Sequence, residues 1–340
     1  MARVTLTDVA KDAGVSRATA SMVLNDSPLI AQATKERVRE SFARLGYVYD
    51  RAAASLRKNQ SLAVGLVITQ LSNPYFAEFV EGIQSELDDR GMDVLLGISA
   101  EDRARQRRVL VSMSERRVDG VVVIPAHQSE PADFAGLHMP IVMLARRVKG
   151  FDTDYVGGDN YAGSVAATNH LLVTHGARRP AFIGGHVYAS AREERLGGFL
   201  SAAGVLGIKV PVRNQPACVP DRVVARNVAA ELIARDPKVD AIVCFNDAVA
   251  FGVVDAVADA GLQVGRDIRV IGFDDVKDAE RARPALASVS VPAETAGRRA
   301  AQLLLKRISG SEAGPQGLIL PAELMPRESC GCGLRVRAAS

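Results

Sequence analysis

From Leu62 onward the chain alternates short apolar runs with amphipathic stretches, and it does so in two successive sets. The first set reads as strand 62–68 (LAVGLVI), helix 75–90, strand 93–99, helix 103–117, strand 120–125 and strand 141–145. Phe76, Phe79, Val80, Ile83 and Leu87 fall on one stripe of its first helix. The second set begins near Asp159 with a helix to 175. Strand 180–185, helices 192–206 and 221–235, strand 241–245, helix 248–260 and strand 268–273 follow. Strands this short and this apolar belong inside a parallel sheet covered on both faces. Alternation with helices leaves few other architectures, and two sets mean two lobes. Ala296, Ala300, Leu303, Leu304 and Ile308 mark a last helix that returns to the first lobe. A chain of 340 residues, 48% hydrophobic, is long enough for two or three such units.

The first sixty residues have a different texture. Thr5 precedes an apolar helical face made by Leu6, Val9, Ala10 and Ala13, with Asp8 placed for a capping box. Gly14 suits the stop. Ser16 suits the cap of a second short helix, whose Ala20, Val23 and Leu24 face inward. Arg17, Ala18, Ser21 and Met22 are left outward. Small and basic residues at the exposed start of a second helix fit a recognition helix entering a major groove end-first. A third helix is predicted from Thr34, with Val38, Phe42 and Leu45 inward and Gly46 closing it. Three helices in so few residues make a marginal core that gains from a partner. Residues 1–60 carry ten Lys and Arg against six Asp and Glu, and the remainder carries 32 against 33. The net positive charge therefore sits in this headpiece, as phosphate binding requires. Arg51 to Lys58 follows, helix-favouring but too short to hold alone. It reads either as a plain linker or as a helix formed on DNA, with Leu56 as an apolar wedge for the minor groove.

The run 4–25 (VTLTDVAKDAGVSRATASMVLN), then LGYVYDRAAASLR and GLVITQLSNPYFAEFVEGI, resembles the lactose-repressor/galactose-repressor (LacI/GalR) family of bacterial transcription regulators. DGVVVIP, VGGDNYAG, REERLGGF, FNDAVAFG, VIGFDDV and LMPRES continue the resemblance in order along nearly the whole chain. It implies a helix-turn-helix headpiece, 1–49, and a hinge, 50–61. It also implies a two-lobed core like a periplasmic binding protein, 62–340. Lobe one takes 62–158 and 292–318, and lobe two takes 159–290 and 319–330. SVSVP and LILP are similar to the family's strands that cross between lobes. The expected protein is a cytoplasmic homodimeric repressor on a near-palindromic operator, switched by a small sugar-derived effector. The DNA contacts expected are Thr5, Ser16, Arg17, Ala18, Thr19, Ser21, Met22, Asn25, Tyr47, Ala53 and Leu56. Met22 stands where many relatives carry a basic residue.

Ligands of open α/β sheets lie beyond the carboxyl ends of the strands. Tyr75, Phe76, His127, Arg192, Arg195, Asn246 and Asp274 all follow such ends. The resemblance places effector contacts at Tyr75, Phe76, Arg195, Asn246 and Asp274. Arg192 has a second reading, paired at the surface with Glu193 or Glu194. The family often carries an acid after the strand matching IVMLA. Here Ala145 stands there, followed by Arg146 and Arg147. Either Arg146 joins the site and favours a sugar acid or sugar phosphate, or both arginines face water.

An enzyme is not expected. Asp274 and Asp275 are adjacent acids on an extended segment and point apart, and no nucleophile neighbours a base. No phosphate-cradling glycine motif occurs. No cofactor is expected. Four cysteines in this length are no disulfide framework, and Cys218 and Cys244 read as inert thiols. Cys330 and Cys332 supply two thiols where zinc sites normally use four ligands. His138, His170, His175 and His186 read as surface residues, so no metal is expected. The start, MARVTLTDVAKDAG, lacks a signal peptide's apolar segment, and no run spans a bilayer. A sugar-binding transport receptor would share the two-lobed core. The basic headpiece favours the regulator.

Overall fold

A computed structural model describes residues 4–48 and 61–333. The chain divides into two compact units, Met1–Ser61 and Leu62–Ser340.

In the first unit, helices α1 (Leu6–Asp12), α2 (Arg17–Leu24) and α3 (Gln32–Leu45) enclose Val9, Ala10, Ala13, Ala20, Val23 and Val38. Thr5 and Asp8 close a reciprocal capping box on α1, with Thr5 N donating to Asp8 Oδ2 at 2.8 Å. Ser16 caps α2 by accepting from Thr19 N at 3.0 Å. Gly14 takes φ +66° and Gly46 φ +62°, conformations in which a side chain would be strained. Helix α3 starts two residues before Thr34, from Ala31, which offers no side-chain cap. Ile30 packs against the core just upstream and sets where the chain can turn into the helix.

The second unit holds two sheets. The first runs β10-β5-β4-β3-β1-β2 and is parallel throughout. Its strands are β1 (Ala63–Ile68), β2 (Asp93–Ile98), β3 (Gly120–Val123), β4 (Ile141–Leu144), β5 (Asp154–Gly158) and β10 (Gly317–Leu320). Helices α4 (Pro74–Asp88), α5 (Arg103–Glu115) and α11 (Ala293–Ile308) accompany it. Helices α4 and α11 touch backbone to backbone. A Cβ on Gly82 would stand 2.0 Å from Glu294 O, and one on Gly297 2.4 Å from Phe79 O. Strand β2 is an edge and leaves Leu95 and Leu96 exposed.

The second sheet runs β11-β9-β8-β7-β6, with β11 (Glu323–Met325) antiparallel to β9 (Ala287–Ser290) and the others parallel. Strands β6 (Pro180–Ile183), β7 (Ala241–Cys244) and β8 (Arg269–Asp274) complete it. Helices α6 (Asn160–Asn169), α7 (Ser190–Val205), α8 (Arg222–Arg235), α9 (Asp247–Asp259) and α10 (Lys277–Arg281) belong to this lobe. A π-helical turn, His170–Thr174, extends α6.

The chain crosses between lobes three times, after Gly158, Ser290 and Leu320. Two assignments from sequence change. Ile319 and Leu320, given to lobe two, pair with Gly157 and Gly158 in the first sheet. Strand β5 was not foreseen, because DYVGG lacks an apolar run. It gains its place by lying between β4 and β10.

Candidate functional site

The outward residues of α2 begin with its cap. Ser16, Arg17, Ala18, Met22 and Asn25 are exposed, and Thr19 and Ser21 are half-buried. Arg17 makes no hydrogen bond or ion pair among the described residues, so its guanidinium is available to a partner. Asn25 Nδ2 donates to Ser21 O at 2.7 Å and ends the helix. Thr5 is exposed, although its hydroxyl already donates to Asp8. Tyr47 stacks on Phe42, with ring centroids 5.3 Å apart, and packs against the core. Ala53 and Leu56 lie outside the described residues.

In the core, a cleft of about 580 Å³ opens where the strands of both lobes end. Tyr75, Phe76, Arg146, Arg195, Asn246 and Asp274 all line it. Asn73 caps α4 by accepting from Tyr75 N at 3.0 Å, and its Nδ2 donates to Asp274 Oδ2 of the other lobe at 3.3 Å. Asn246 caps α9, accepting from Val249 N at 3.1 Å. Arg195 is 6% exposed and committed through Nε and Nη1. Its Nε donates to Asn160 Oδ1 at 2.8 Å and its Nη1 to Phe245 O. Its guanidinium lies 3.6 Å from the Phe273 ring centroid, and Nη1 is 3.6 Å from Asp274 Oδ1. Burial pushes the Asp274 carboxyl up to about 6, against the pull of Arg195. Burial also raises the Tyr75 phenol, which stays a neutral donor.

Four non-glycine lining residues hold positive φ: Ala100 at 53°, Glu101 at 59°, Ala145 at 60° and Asp274 at 109°. Such backbone is sparsely populated and persists only where surrounding contacts impose it. These turns aim Glu101, Arg146 and Asp274 across the strand ends.

Two residues expected here lie elsewhere. Arg192 turns back to donate to Gly184 O at 3.0 Å and Gln215 O at 2.9 Å. It braces a loop and pairs with neither Glu193 nor Glu194. His127 is outside the cleft lining and stacks on His186, which does line it, at 4.8 Å. Its Nδ1 is buried without a hydrogen-bond partner among the described residues. Arg146 is in the cleft but is not a spare cation: Nη1 lies 2.9 Å from Glu101 Oε1 and donates to Pro125 O at 3.1 Å. Arg147 lies over the Tyr155 ring at 4.1 Å. Glu101 places a carboxylate in the cleft beside Arg146. Sequence reading missed Glu101 and Asn73. Glu101 follows a strand end like the others, and Asn73-Pro74 is a plain helix-start signal.

A helix-turn-helix unit and a two-lobed α/β core with a cleft at its strand ends define a ligand-responsive DNA-binding regulator as a class. Residues 5–50 match the family of bacterial regulatory proteins, lacI family, and residues 169–330 match the periplasmic binding protein-like domain. The HTH-type transcriptional regulator CelR of Thermobifida fusca is 34% identical over 340 residues, covering 96% of this chain and 98% of that protein. The HTH-type transcriptional repressor PurR of Vibrio cholerae is 29% identical over 332 residues, covering 96% and 97%. The solved CelR–cellobiose complex superposes with a TM-score of 0.74 at 31% identity, covering 96% of this chain and all of that one (100%). The chain belongs to the LacI family. It is a DNA-binding transcriptional regulator and not an enzyme, which also decides against the transport receptor. Among the described residues no helix is long and apolar enough to cross a membrane.

Proposed function

We propose that the chain is a homodimeric repressor acting in the cytoplasm, and that its cleft takes a neutral polyhydroxylated molecule such as a short saccharide. The observation that carries the ligand class is charge balance. Arg195 stands against Asp274 and Arg146 against Glu101, so neither guanidinium is free to demand an anion. On that ground we favour a neutral ligand over a sugar acid or sugar phosphate. Acceptors at Asp274, Asn246 and Glu101 beside Tyr75 and Phe76 suit hydroxyl edges and an apolar sugar face. A relative of this family holds cellobiose in its solved complex, and a saccharide of that kind fits this chemistry. The exposed Leu95 and Leu96 on an edge strand favour a partner subunit covering them. Ala53 and Leu56 belong to the proposed hinge, whose pairing the effector would control.

A thermal-shift screen of the full chain against neutral sugars, sugar acids and sugar phosphates tests this. The expected hit is a neutral sugar. Arg195→Ala and Asp274→Ala each remove a polar partner of the sugar, a loss of about 1–3 kcal/mol, and should weaken that sugar roughly five- to a hundredfold. DNA binding without sugar should be unchanged, since neither residue is in the headpiece. A sugar phosphate as the only hit would overturn the neutral-ligand reading. Full affinity in both variants would remove the cleft as the site.

A further inference from the structure

Outside the cleft lining, four side chains from two ends of lobe two converge: His170, His175, Cys330 and Cys332. One donor atom from each lies within 4.8 Å of the other three. His170 Nε2 is 3.1 Å from His175 Nε2, 3.3 Å from Cys330 Sγ and 3.4 Å from Cys332 Sγ. His175 Nε2 is 3.4 Å from Cys332 Sγ.

Hydrogen bonding does not account for this arrangement. A ring nitrogen of neutral imidazole is one donor or one acceptor. His170 Nε2 nevertheless has three partners at contact distance. A metal ion at the centre satisfies all four at once. Zinc bonds of about 2.0–2.1 Å to nitrogen and about 2.3 Å to sulfur imply tetrahedral edges of roughly 3.3–3.8 Å. The four short contacts, 3.1–3.4 Å, lie within a few tenths of that span, and no pair of the four donor atoms is more than 4.8 Å apart. Two thiolates with two imidazoles select zinc over harder cations.

The backbone is arranged for the convergence. In an α-helix, residues five apart point about 140° away from each other. The π-helical turn His170–Thr174 widens the coil, with His175 N donating to His170 O at 3.2 Å, and the two rings meet. Such turns are frequent at functional sites. Between the thiols, Gly331 takes φ +100°. A Cβ there would stand 3.0 Å from Gly265 O and 3.2 Å from His175 Nδ1. Only glycine passes this close to the imidazole without strain.

We infer that His170, His175, Cys330 and Cys332 form a structural zinc site that fastens the C-terminal segment to the end of helix α6. With four protein ligands the site is closed, so its role is structural. It joins residues 160 apart in sequence, His170 and Cys330. Cys330 and Cys332 alone are two ligands short of a zinc site, and the missing pair is His170 and His175, which the sequence suggests are surface residues. The inference does not depend on the effector cleft.

The test uses the full chain purified in reductant, with zinc measured by mass spectrometry after dialysis. One zinc per chain is expected. Zinc-stripped protein titrated with Co²⁺ should show the intense visible bands of tetrahedral cobalt and thiolate-to-metal charge transfer, both erased by Zn²⁺. Partners outside the coordination shell alone are worth 10–100-fold in affinity, so the double variant Cys330→Ser, Cys332→Ser should lose at least about a hundredfold. His175→Gln removes one ligand with little change in size and should weaken cobalt affinity and shift the visible bands, as water takes the vacant position. Absence of bound zinc together with a weak octahedral cobalt spectrum would overturn the site. So would unchanged zinc affinity in the folded double variant. Where that variant fails to fold, the wild-type charge-transfer band decides, because it reports thiolate ligation directly.

Discussion

Asp274 concentrates the physics of the cleft in one residue. It is buried, holds φ +109°, and faces Arg195 while accepting from Asn73. Burial pushes its carboxyl from 3.8 to about 6, with Arg195 and Asn73 pulling the other way. A folded value above the unfolded one means that its contribution to stability is full below 3.8 and is lost as pH rises through about 6. Ligand binding has the opposite sign, because a sugar hydroxyl donates best to the ionised form. One pH unit below that value only about a tenth of the carboxyl is ionised, so sugar affinity should fall about tenfold from pH ~7 to ~5. Calorimetry across that range checks it, with Asp274→Asn expected to respond weakly. A flat response in the unmodified chain would mean that Asp274 is not the acceptor. Arg195, Asn246 and Asp274 could be found from sequence because each follows a strand end. Arg192 and His127 satisfy the same rule and miss the cleft, since position past a strand does not fix side-chain direction. Arg192 had two loop carbonyls within reach and took them.

Among the elements, α2 was legible and the π-turn after α6 was not. Caps at Thr5 and Ser16 and stops at Gly14 and Gly46 are local chemistry, written within four residues of where they act. The turn at His170–Thr174 depends instead on what packs around it, and its purpose depends on cysteines 160 residues away. Strand β5 is a similar case: its neighbours β4 and β10 define it more than its own sequence does. On α2 the exposed Arg17, unpaired among the described residues, can present two parallel donors to guanine, the commonest specific contact in the major groove. Arg17→Ala should cost about 1–3 kcal/mol of specific binding and relax preference at one position per half-site. Selection from a random duplex library would read this out. An identical motif from variant and native chains would rule out base reading by Arg17. Tyr47, spent on stacking with Phe42, should matter more to headpiece stability than to sequence preference.

Across the whole molecule, charge is divided by function. The first sixty residues carry an excess of four positive charges and the rest is nearly neutral, at 32 basic against 33 acidic residues. The core can therefore contribute little long-range attraction to a polyanion, and salt sensitivity must come from the headpiece. Within it, Asp26 already engages Lys35 and Arg39, and Asp12 engages Arg44. Those cations are shared with acids, which leaves Lys11, Arg17 and Arg37 among the described residues, with the helix caps, to meet phosphate. Two headpieces in the proposed dimer double the count. Each phosphate neutralised releases counterions and steepens the fall of affinity with salt by about 0.9 in log–log slope. A dimer making about six such contacts should then give a slope magnitude on the order of 5 or more on its operator. Binding measured by fluorescence anisotropy over a salt series gives that slope. The isolated monomeric headpiece should show about half of it, because it meets only one half-site. A slope near 1 for the full chain would mean that phosphate contacts do not dominate. Equal slopes for headpiece and full chain would mean that one headpiece binds DNA at a time, against the homodimer reading.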